Sequence, residues 1–410
     1  MLLTWSNLEG NKVKLGILAL ASAASLLLAS AAMAVDVEIG VLNDRSGVYA
    51  DLSGEGSVIA ARMAVEDFDA AAKGINVEIV SADHQNKPDV ASNIARQWYD
   101  EDGVDIIVDV PTSSAALAVN EISREKNKIF LVSGAATTDL TGTACAPATI
   151  HWTYDTYALA KGTGGAMVAQ GGDTWFFLTA DYAFGHSLEA NTTAVVEAAG
   201  GQVLGAVRHP FPGQDFSSFL LQAQSSGAKV IGLANAGGDT VNAIKQASEF
   251  GITQGGQALA GLLIFITDVH ALGLEAAQGL VLTEAFYWDQ NEDTRAWSER
   301  FAEQHGGAMP TMVHAGVYSS VLHYLKAVEA TAGKEADAVV AKMRETPTSD
   351  PVFGEGSIRA DGRHLHDMYL FRVKAPDASE GPWDYYELVA TIPAAEAWRP
   401  LEEGGCPLVN

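Results

Sequence analysis

The 410-residue sequence has few basic residues, few cysteines and few charged residues of any kind. Lysine and arginine number 25 against 51 aspartates and glutamates, which gives a formal net charge of −26. So acidic a chain does not bind nucleic acid by neutralising phosphates, and it does not adhere to an anionic membrane through basic patches. Hydrophobic residues make up 48% and charged residues 19%. This composition excludes disorder and, at this length, predicts a globular protein of two domains.

Only one apolar run approaches the length of a membrane span, and it lies at the start of the chain. Lys12 and Lys14 precede the Ala/Leu-rich stretch 15–32, and Ala32-Met33-Ala34 has the pattern of a cleavage site. We interpret residues 1–34 as a cleaved signal peptide, the alternative being an uncleaved transmembrane anchor. The mature chain, beginning at Val35, is therefore expected in the periplasm.

The two cysteines, Cys145 and Cys406, both lie among turn residues. An even number of cysteines in an exported chain favours a disulfide over two free thiols. Such a bridge would tie the C-terminal tail, residues 375–410, to the middle of the chain. The tail is rich in proline and glycine, and we expect it to be irregular.

Short β-branched runs alternate with helical patterns in two successive series. Strands are predicted in the first series at 37–42, 77–80, 106–108 and 129–132, and in the second at 175–178, 203–207, 230–233 and 262–265. Helices follow each strand, further helices are predicted over 294–344, and a last strand over 368–373. This rhythm predicts an α/β protein with two doubly wound, Rossmann-like lobes.

Two hydroxyl-rich loops follow neighbouring strands of the first series. Ser113 and Ser114 begin a helix after the third strand, and Ala135, Ala136 and Thr137 follow the fourth. Ligands of open α/β sheets bind beyond the carboxyl ends of the strands, where hydroxyl and amide donors can hold a carboxylate without Arg or Lys. The alternative is plain helix capping, and the loops alone leave both interpretations open.

Other predicted loops carry aromatic, amide or acidic residues that can face a cleft between the lobes. These residues are Tyr154, Tyr157, Tyr182, Phe184, Asn235, Gly237 and Asp268. The alternative for any single ring is that it belongs to the core.

The order of these loops resembles the type I periplasmic binding proteins, and most closely the leucine/isoleucine/valine-binding family of ABC-importer receptors. The resemblance covers residues 37–373, and its motifs are 39–42 with Ser46-Gly47, 54–68, 113–115, 133–137, 181–185, Gly237-Gly238, and Pro310 with 315–318. No single motif is specific, whereas their order and spacing together are.

The resemblance implies two lobes joined by three crossover segments, which close on a solute as in a Venus flytrap. It places the N-terminal lobe at 35–153 plus 283–365 and the C-terminal lobe at 154–282 plus 366–374. It implies that Ser113 or Ser114, Ala135 and Thr137 hold a ligand carboxylate. Tyr49 and Leu52 then face the apolar part of the ligand, and Asp268 lies near the position that pairs with an α-ammonium group in amino-acid binders.

Departures from the amino-acid-binding pattern leave two ligand classes open. Residues 236–239 hold no aromatic ring where amino-acid binders often have one. The aromatic stretch 285–289, which includes Trp288, is similar to members that take up aromatic acids. We therefore expect a small carboxylate, either an aromatic acid or a branched-chain or other hydrophobic amino acid.

Sequence motifs for catalysis are missing: there is no G-x-S-x-G, no H-E-x-x-H and no P-loop. His364-Leu365-His366 is expected to be a solvated turn rather than a metal site. We expect no enzyme activity, cofactor or metal. The predicted function is that of a monomeric substrate-binding protein that delivers its ligand to ABC-importer permease subunits. The alternative is a ligand-sensing receptor module, which usually continues into a membrane helix and a signalling domain.

Overall fold

The computed structural model describes residues 34–409, and its first lobe is built on a five-stranded parallel sheet. The strands are β1 (Val35–Asn43), β2 (Ile75–Asp83), β3 (Ile106–Asp109), β4 (Ile129–Val132) and β5 (Thr149–His151), in the order β2-β1-β3-β4-β5. The connecting helices are α1 (Gly54–Phe68), α2 (Pro88–Gln97) and α3 (Ser113–Lys126). All residues of β3 and β4 are buried because helices cover both faces of the sheet. The strand order reverses between β1 and β3, which opens a crevice at their carboxyl ends.

The second lobe repeats this plan with a four-stranded parallel sheet. Its elements are α4 (Thr156–Leu159), α5 (Gly165–Ala169), β6 (Thr174–Ala180), α6 (Ala183–Ala198), β7 (Gln202–His209), α7 (Ser217–Ser225), β8 (Val230–Ala234), α8 (Gly238–Glu249), β9 (Ala258–Gly261), α9 (Ile266–Leu272) and α10 (Leu274–Ala277). The strand order is β7-β6-β8-β9, so the equivalent crevice lies between β6 and β8.

The remaining chain passes between the lobes again. Its elements are β10 (Val281–Glu284), α11 (Glu292–Gln304), α12 (Met312–Thr331), α13 (Ala336–Glu345), β11 (Thr348–Asp350), β12 (Gly354–Ile358), β13 (His364–Leu365), β14 (Met368–Val373), β15 (Tyr386–Ile392) and α14 (Ala394–Ala397). Helix α12 packs on α1 of the first lobe. The antiparallel sheet β10-β14-β15 packs into the core of the second lobe. The predicted fold class, two doubly wound lobes, is confirmed, whereas the exact lobe boundaries stay a prediction.

Three local expectations are wrong. The predicted strand 262–265 is a loop, and β9 ends before it at Gly261. Its four residues are apolar because they are buried, not because they pair in a sheet. Part of the tail is regular, since β15 and α14 lie in it. His364 and His366 are buried rather than solvated.

The disulfide between Cys145 and Cys406 is present, as predicted. It closes a loop of 261 residues and ties the tail to the segment that follows Thr137. The Arg399 guanidinium supports the same contact by donating to the Thr138 carbonyl oxygen at 3.0 Å.

A group of buried polar residues lies where the chain leaves β5 and where it enters β14. We call it the crossover cluster: His151, Asp155, Arg363, His364 and His366, all 0–2% exposed. Within it, Arg363 lies 3.7 Å from the Asp155 carboxylate and donates to the carbonyl oxygens of Tyr154 (3.1 Å) and His364 (3.0 Å). These contacts connect two of the segments that run between the lobes.

The predicted signal peptide falls almost entirely on residues 1–33, outside the described residues. Within residues 34–409, none of the helices is both long and apolar enough to cross a lipid bilayer.

Candidate functional site

The loop after β1 brings Tyr49 and Leu52 to the crevice of the first lobe. The buried Asp44 carboxylate organises this loop by accepting the backbone N–H groups of Gly47 and Tyr49, both at 2.8 Å. Because these donors are the turn's own amides, the loop holds its shape without help from the second lobe.

A cavity of about 10 Å³ lies between the lobes at the carboxyl ends of both parallel sheets. It is lined by Tyr49, Leu52, Pro111, Gly134, Tyr154, Tyr182, Phe184, Ala236, Leu263 and Phe265. Five of these ten residues are aromatic, and none is charged. The volume is far below the roughly 300–1,000 Å³ of drug-sized pockets, so the apolar rings that line the cavity must move apart to admit a ligand.

The two lobes touch each other across this cavity. The hydroxyls of Tyr49 and Tyr182 share a hydrogen bond of 2.5 Å. The Gly238 N–H donates to the Val48 carbonyl oxygen at 3.1 Å. Gly237 approaches the same loop so closely that a Cβ atom there would lie 2.5 Å from the Val48 oxygen. The structure is therefore a closed form, with first-lobe and second-lobe backbones in contact.

The two hydroxyl-rich loops meet each other beside the cavity. The buried Ser113 hydroxyl accepts the backbone N–H groups of Ala136 and Thr137, both at the long distance of 3.3 Å. Thr137 accepts the Asp139 N–H at 3.3 Å and so caps the short turn that follows. Gly134 of the same loop lines the cavity, and its carbonyl oxygen accepts the Tyr154 hydroxyl at 2.5 Å. Gly134 thus separates the cavity from four of the predicted site residues, Ser113, Ala135, Ala136 and Thr137. Ser114 is half-buried at the start of α3.

Five other predicted site residues do not line the cavity, and one of them is Gly237, whose contact with the first lobe is described above. Asn235 is buried between His209 (3.2 Å) and Thr240 (2.7 Å). Asp268 accepts the Phe265 N–H at 2.9 Å and so fixes a ring of the cavity wall from behind. The Trp288 indole donates to the Trp383 carbonyl oxygen at 2.8 Å. Tyr157 is half-buried on α4.

Five lining residues were missed by sequence reasoning. Pro111, Gly134 and Ala236 lie in loops that the sequence singled out, but they carry no polar side chain. Leu263 and Phe265 belong to the run misassigned as a strand. The run 262–265 is apolar throughout and does not alternate between apolar and polar residues. Such a run is as compatible with a buried loop as with a strand, and this pattern could have pointed to Leu263 and Phe265.

Buried carboxyl groups surround the cavity. Burial raises the pKa of Asp268 to about 7, with the nearby Asp51 adding to the shift and the Phe265 N–H opposing it. Burial also raises the pKa of Asp239 to about 7 and that of Asp109 to about 6. The pKa of Glu284 is raised well above its ordinary value, first by burial and then by Asp268. Because their pKa values are raised, these groups bind protons more readily than exposed carboxyls do. Protonation reduces the negative charge around the cavity and so reduces the repulsion of a bound anion.

Potential metal ligands do not cluster in the described part of the chain: no group of three or more His, Cys, Asp or Glu side chains there could hold an ion.

Comparisons with known proteins agree on one family. A family model described as "Periplasmic binding protein" matches residues 36–381. A crystal structure of a periplasmic binding protein from Burkholderia mallei is 52% identical, with a TM-score of 0.89 over 92% of this chain and 99% of that one. A branched-chain amino acid ABC transporter periplasmic ligand-binding protein from Burkholderia xenovorans is 43% identical, with a TM-score of 0.80 over 91% of this chain and 99% of that one. The Leu/Ile/Val-binding protein homolog 6 of Brucella melitensis is 26% identical over 86% of this chain and 91% of its own length.

Proposed function

Since this chain belongs to the periplasmic binding protein family, we propose that it captures a small carboxylate between its lobes and delivers it to an ABC importer. The observation that carries the proposal is the closed, ring-lined cavity at the carboxyl ends of both sheets. Binding by closure of two lobes is an established mode for such folds.

The cavity wall favours a ligand with an aromatic or branched apolar body. Tyr154 and Phe265 meet edge to face, with ring centroids 6.1 Å apart, and Tyr182 and Phe184 lie 5.9 Å apart. Rings in these arrangements leave both faces and edges for a planar ligand to contact. Burial of such a ligand supplies most of the binding free energy.

The carboxylate of the ligand is proposed to lie beside Gly134, on the side of the cavity that this residue lines. No lysine or arginine lines the cavity, so the negative charge must be met by hydroxyl and amide donors. The amides of Ala136 and Thr137 are available because their bonds to Ser113 are long. Ser113, Ser114, Ala135 and Thr137 remain the proposed carboxylate-binding residues, with Tyr49, Leu52, Tyr182 and Phe184 around the apolar body.

An aromatic acid fits the wall better than an amino acid does. The Asp268 carboxylate accepts the Phe265 N–H and does not line the cavity. An α-ammonium group would therefore lack a carboxylate partner among the lining side chains. Amino acids remain the second ligand class, because one relative of 43% identity is named for branched-chain amino acids.

Calorimetry of the mature protein against benzoate, 4-hydroxybenzoate, L-leucine and L-phenylalanine tests the proposal. Benzamide is the matched control, because it keeps the ring and lacks the charge. We expect saturable binding of at least one aromatic carboxylate and none of benzamide. Absence of saturable heat with all four carboxylates would refute the proposed function.

The same proposal includes four further properties of the protein. It docks on permease subunits, lies in the periplasm after removal of residues 1–34, is a monomer, and binds its ligand without catalysis. They are supported by membership of the family. Size-exclusion chromatography with light scattering tests the oligomeric state, and mass spectrometry of the exported chain tests cleavage before Val35.

A further inference from the structure

Phe211 lies outside the cavity but stacks on the tyrosine pair that closes it. Its ring centroid is 4.2 Å from that of Tyr182, with 19° between the planes. It is also 5.3 Å from the Tyr49 ring, at 35°. Tyr182 and Phe211 belong to the second lobe and Tyr49 to the first. We call these three rings the clasp.

The segment that carries Phe211 is held by its own lobe. The Gly213 N–H donates to both carboxylate oxygens of the buried Asp239, at 3.0 and 3.1 Å. The Phe216 N–H donates to the Gln246 side chain at 2.8 Å. Both acceptors lie on α8, so the Phe211 ring is positioned by the second lobe whether or not the cleft is closed.

Opening of the cleft would therefore remove one contact of Phe211 and keep the other. The stack with Tyr182 is internal to the second lobe, whereas the contact with Tyr49 crosses between the lobes. A contact made only in the closed form stabilises that form selectively. Because Phe211 does not line the cavity, its effect does not depend on which ligand is inside.

We propose that Phe211 is a positioning residue that sets how long the closed form retains its ligand. The inference rests on the proposed function, since it requires a ligand held between the lobes. It predicts an effect on the dissociation rate rather than on the association rate, as is usual for contacts that form after encounter.

Stopped-flow measurement of association and dissociation tests this inference. The probe is the one of benzoate, 4-hydroxybenzoate, L-leucine and L-phenylalanine that the wild-type protein binds most tightly. In Phe211→Ala the dissociation rate should rise by up to about tenfold, since the variant lacks the aromatic contact with Tyr49 that is made only in the closed form. The association rate should change less than about threefold. Phe211→Tyr keeps the ring and should restore the wild-type rates.

Phe219→Ala is the matched control, because it removes a half-buried ring of the same lobe that packs near His209 and has no ring partner in the first lobe.

A double-mutant cycle with Tyr49→Leu separates the contact between lobes from the stack on Tyr182. The effect of Phe211→Ala should fall to less than about a third in the Tyr49→Leu background, because the partner across the cleft is gone. An undiminished effect, or a Phe211→Ala dissociation rate within about twofold of wild type, would overturn the inference and leave the proposed function standing. Failure of the wild type to bind any of the four carboxylates would overturn both. If circular dichroism shows Phe211→Ala unfolded, Phe211→Leu replaces it with the same expectations.

Discussion

The cavity and the crossover cluster are both buried between the lobes, but burial acts on their ionisable groups in opposite directions. Around the cavity the groups are carboxyls, and burial raises the pKa of Asp268 to about 7 and that of Asp109 to about 6. In the crossover cluster three of the five groups are histidines, beside Asp155 and Arg363. Burial lowers the pKa of His366 to about 4 and that of His364 well below 6.5, in both cases with help from positive charge or imidazole nearby. Rising pH therefore destabilises the first region through its carboxyls, and falling pH destabilises the second through its histidines.

The two regions also differ in how they are held. The cavity is closed by rings and by hydrogen bonds between lobes, such as those of Tyr49 with Tyr182 and of Gly238 with Val48. The crossover cluster is held by a buried guanidinium, its carboxylate partner and the Trp398 ring, which lies 4.2 Å from Arg363. The comparison indicates that the cavity end is built to separate and the crossover end to stay together.

The largest effect is expected from removing the disulfide, which ties the tail carrying Trp398 to the first lobe. In Cys145→Ser/Cys406→Ser the free energy of unfolding should fall by up to about 5 kcal/mol, because a loop of 261 residues is no longer closed in the unfolded chain. Urea unfolding measures it, and reduced wild type is the control that should match. Benzoate or L-leucine affinity should stay within about twofold. A large loss of affinity without loss of stability would contradict the separation of the two regions.

Arg363→Met should be the next most damaging change. It leaves the Asp155 carboxylate buried without its cation, which typically costs about 3–5 kcal/mol. The double variant Arg363→Met/Asp155→Asn removes both charges and should recover part of that loss. Thermal and urea unfolding of the two variants measure the difference. Equal stability of the single and double variants would show that the ion pair does not organise the crossover cluster.

Periodicity was sufficient to predict the βα series, because β3, β4 and α12 are buried runs with clear helical or β-branched patterns. It failed for β9, whose sequence Ala258-Leu259-Ala260-Gly261 has no β-branched residue. It also failed for β15, whose middle residues are exposed at the edge of a sheet. Both strands are fixed by their neighbours rather than by their own sequence.

The candidate site was predictable in its loops but not in its wall. Tyr49, Leu52, Tyr154, Tyr182 and Phe184 were singled out and line the cavity. The hydroxyl residues were singled out for their chemistry, yet their side chains bond to backbone groups. Thr137 caps the turn that follows it, as the capping alternative predicts, whereas Ser113 does not cap α3 and accepts amides of the neighbouring loop instead. Backbone that faces a ligand, as at Gly134, leaves no side-chain signal in a sequence. Phe211 could not be predicted because its partners come from both lobes.

Gly237→Ala should weaken binding with little added loss of stability. The new Cβ would lie 2.5 Å from the Val48 oxygen and 2.9 Å from Tyr49 in the closed form only. Overpacking of this kind favours the open form by about 1–3 kcal/mol, so affinity should fall by about 5- to 150-fold. Gly227→Ala is the matched control, since it has a similar positive φ of 69° and no atoms within 4 Å of the added Cβ. Similar affinities of the two variants for benzoate or L-leucine would show that the lobes do not close as in this structure.

The smallest expected effect is the pH response of Asp268→Asn. Folded Asp268 has a pKa of about 7 against an ordinary 3.8, so the folded chain binds this proton more tightly than the unfolded chain. Its contribution to stability is therefore present at low pH and is lost as the pH rises from about 4 to about 7. The asparagine can still accept the Phe265 N–H and does not ionise. The variant should gain at least about 1 kcal/mol relative to wild type between pH 5 and pH 8. Between pH 5 and pH 6.5 the contribution of the crossover histidines is common to both proteins, so the wild type differs from the variant there by the Asp268 contribution alone. Urea titrations at pH 5, 6.5 and 8 measure the difference in stability between the two proteins, and a difference that does not change from pH 5 to pH 8 would remove Asp268 from the contrast between the regions.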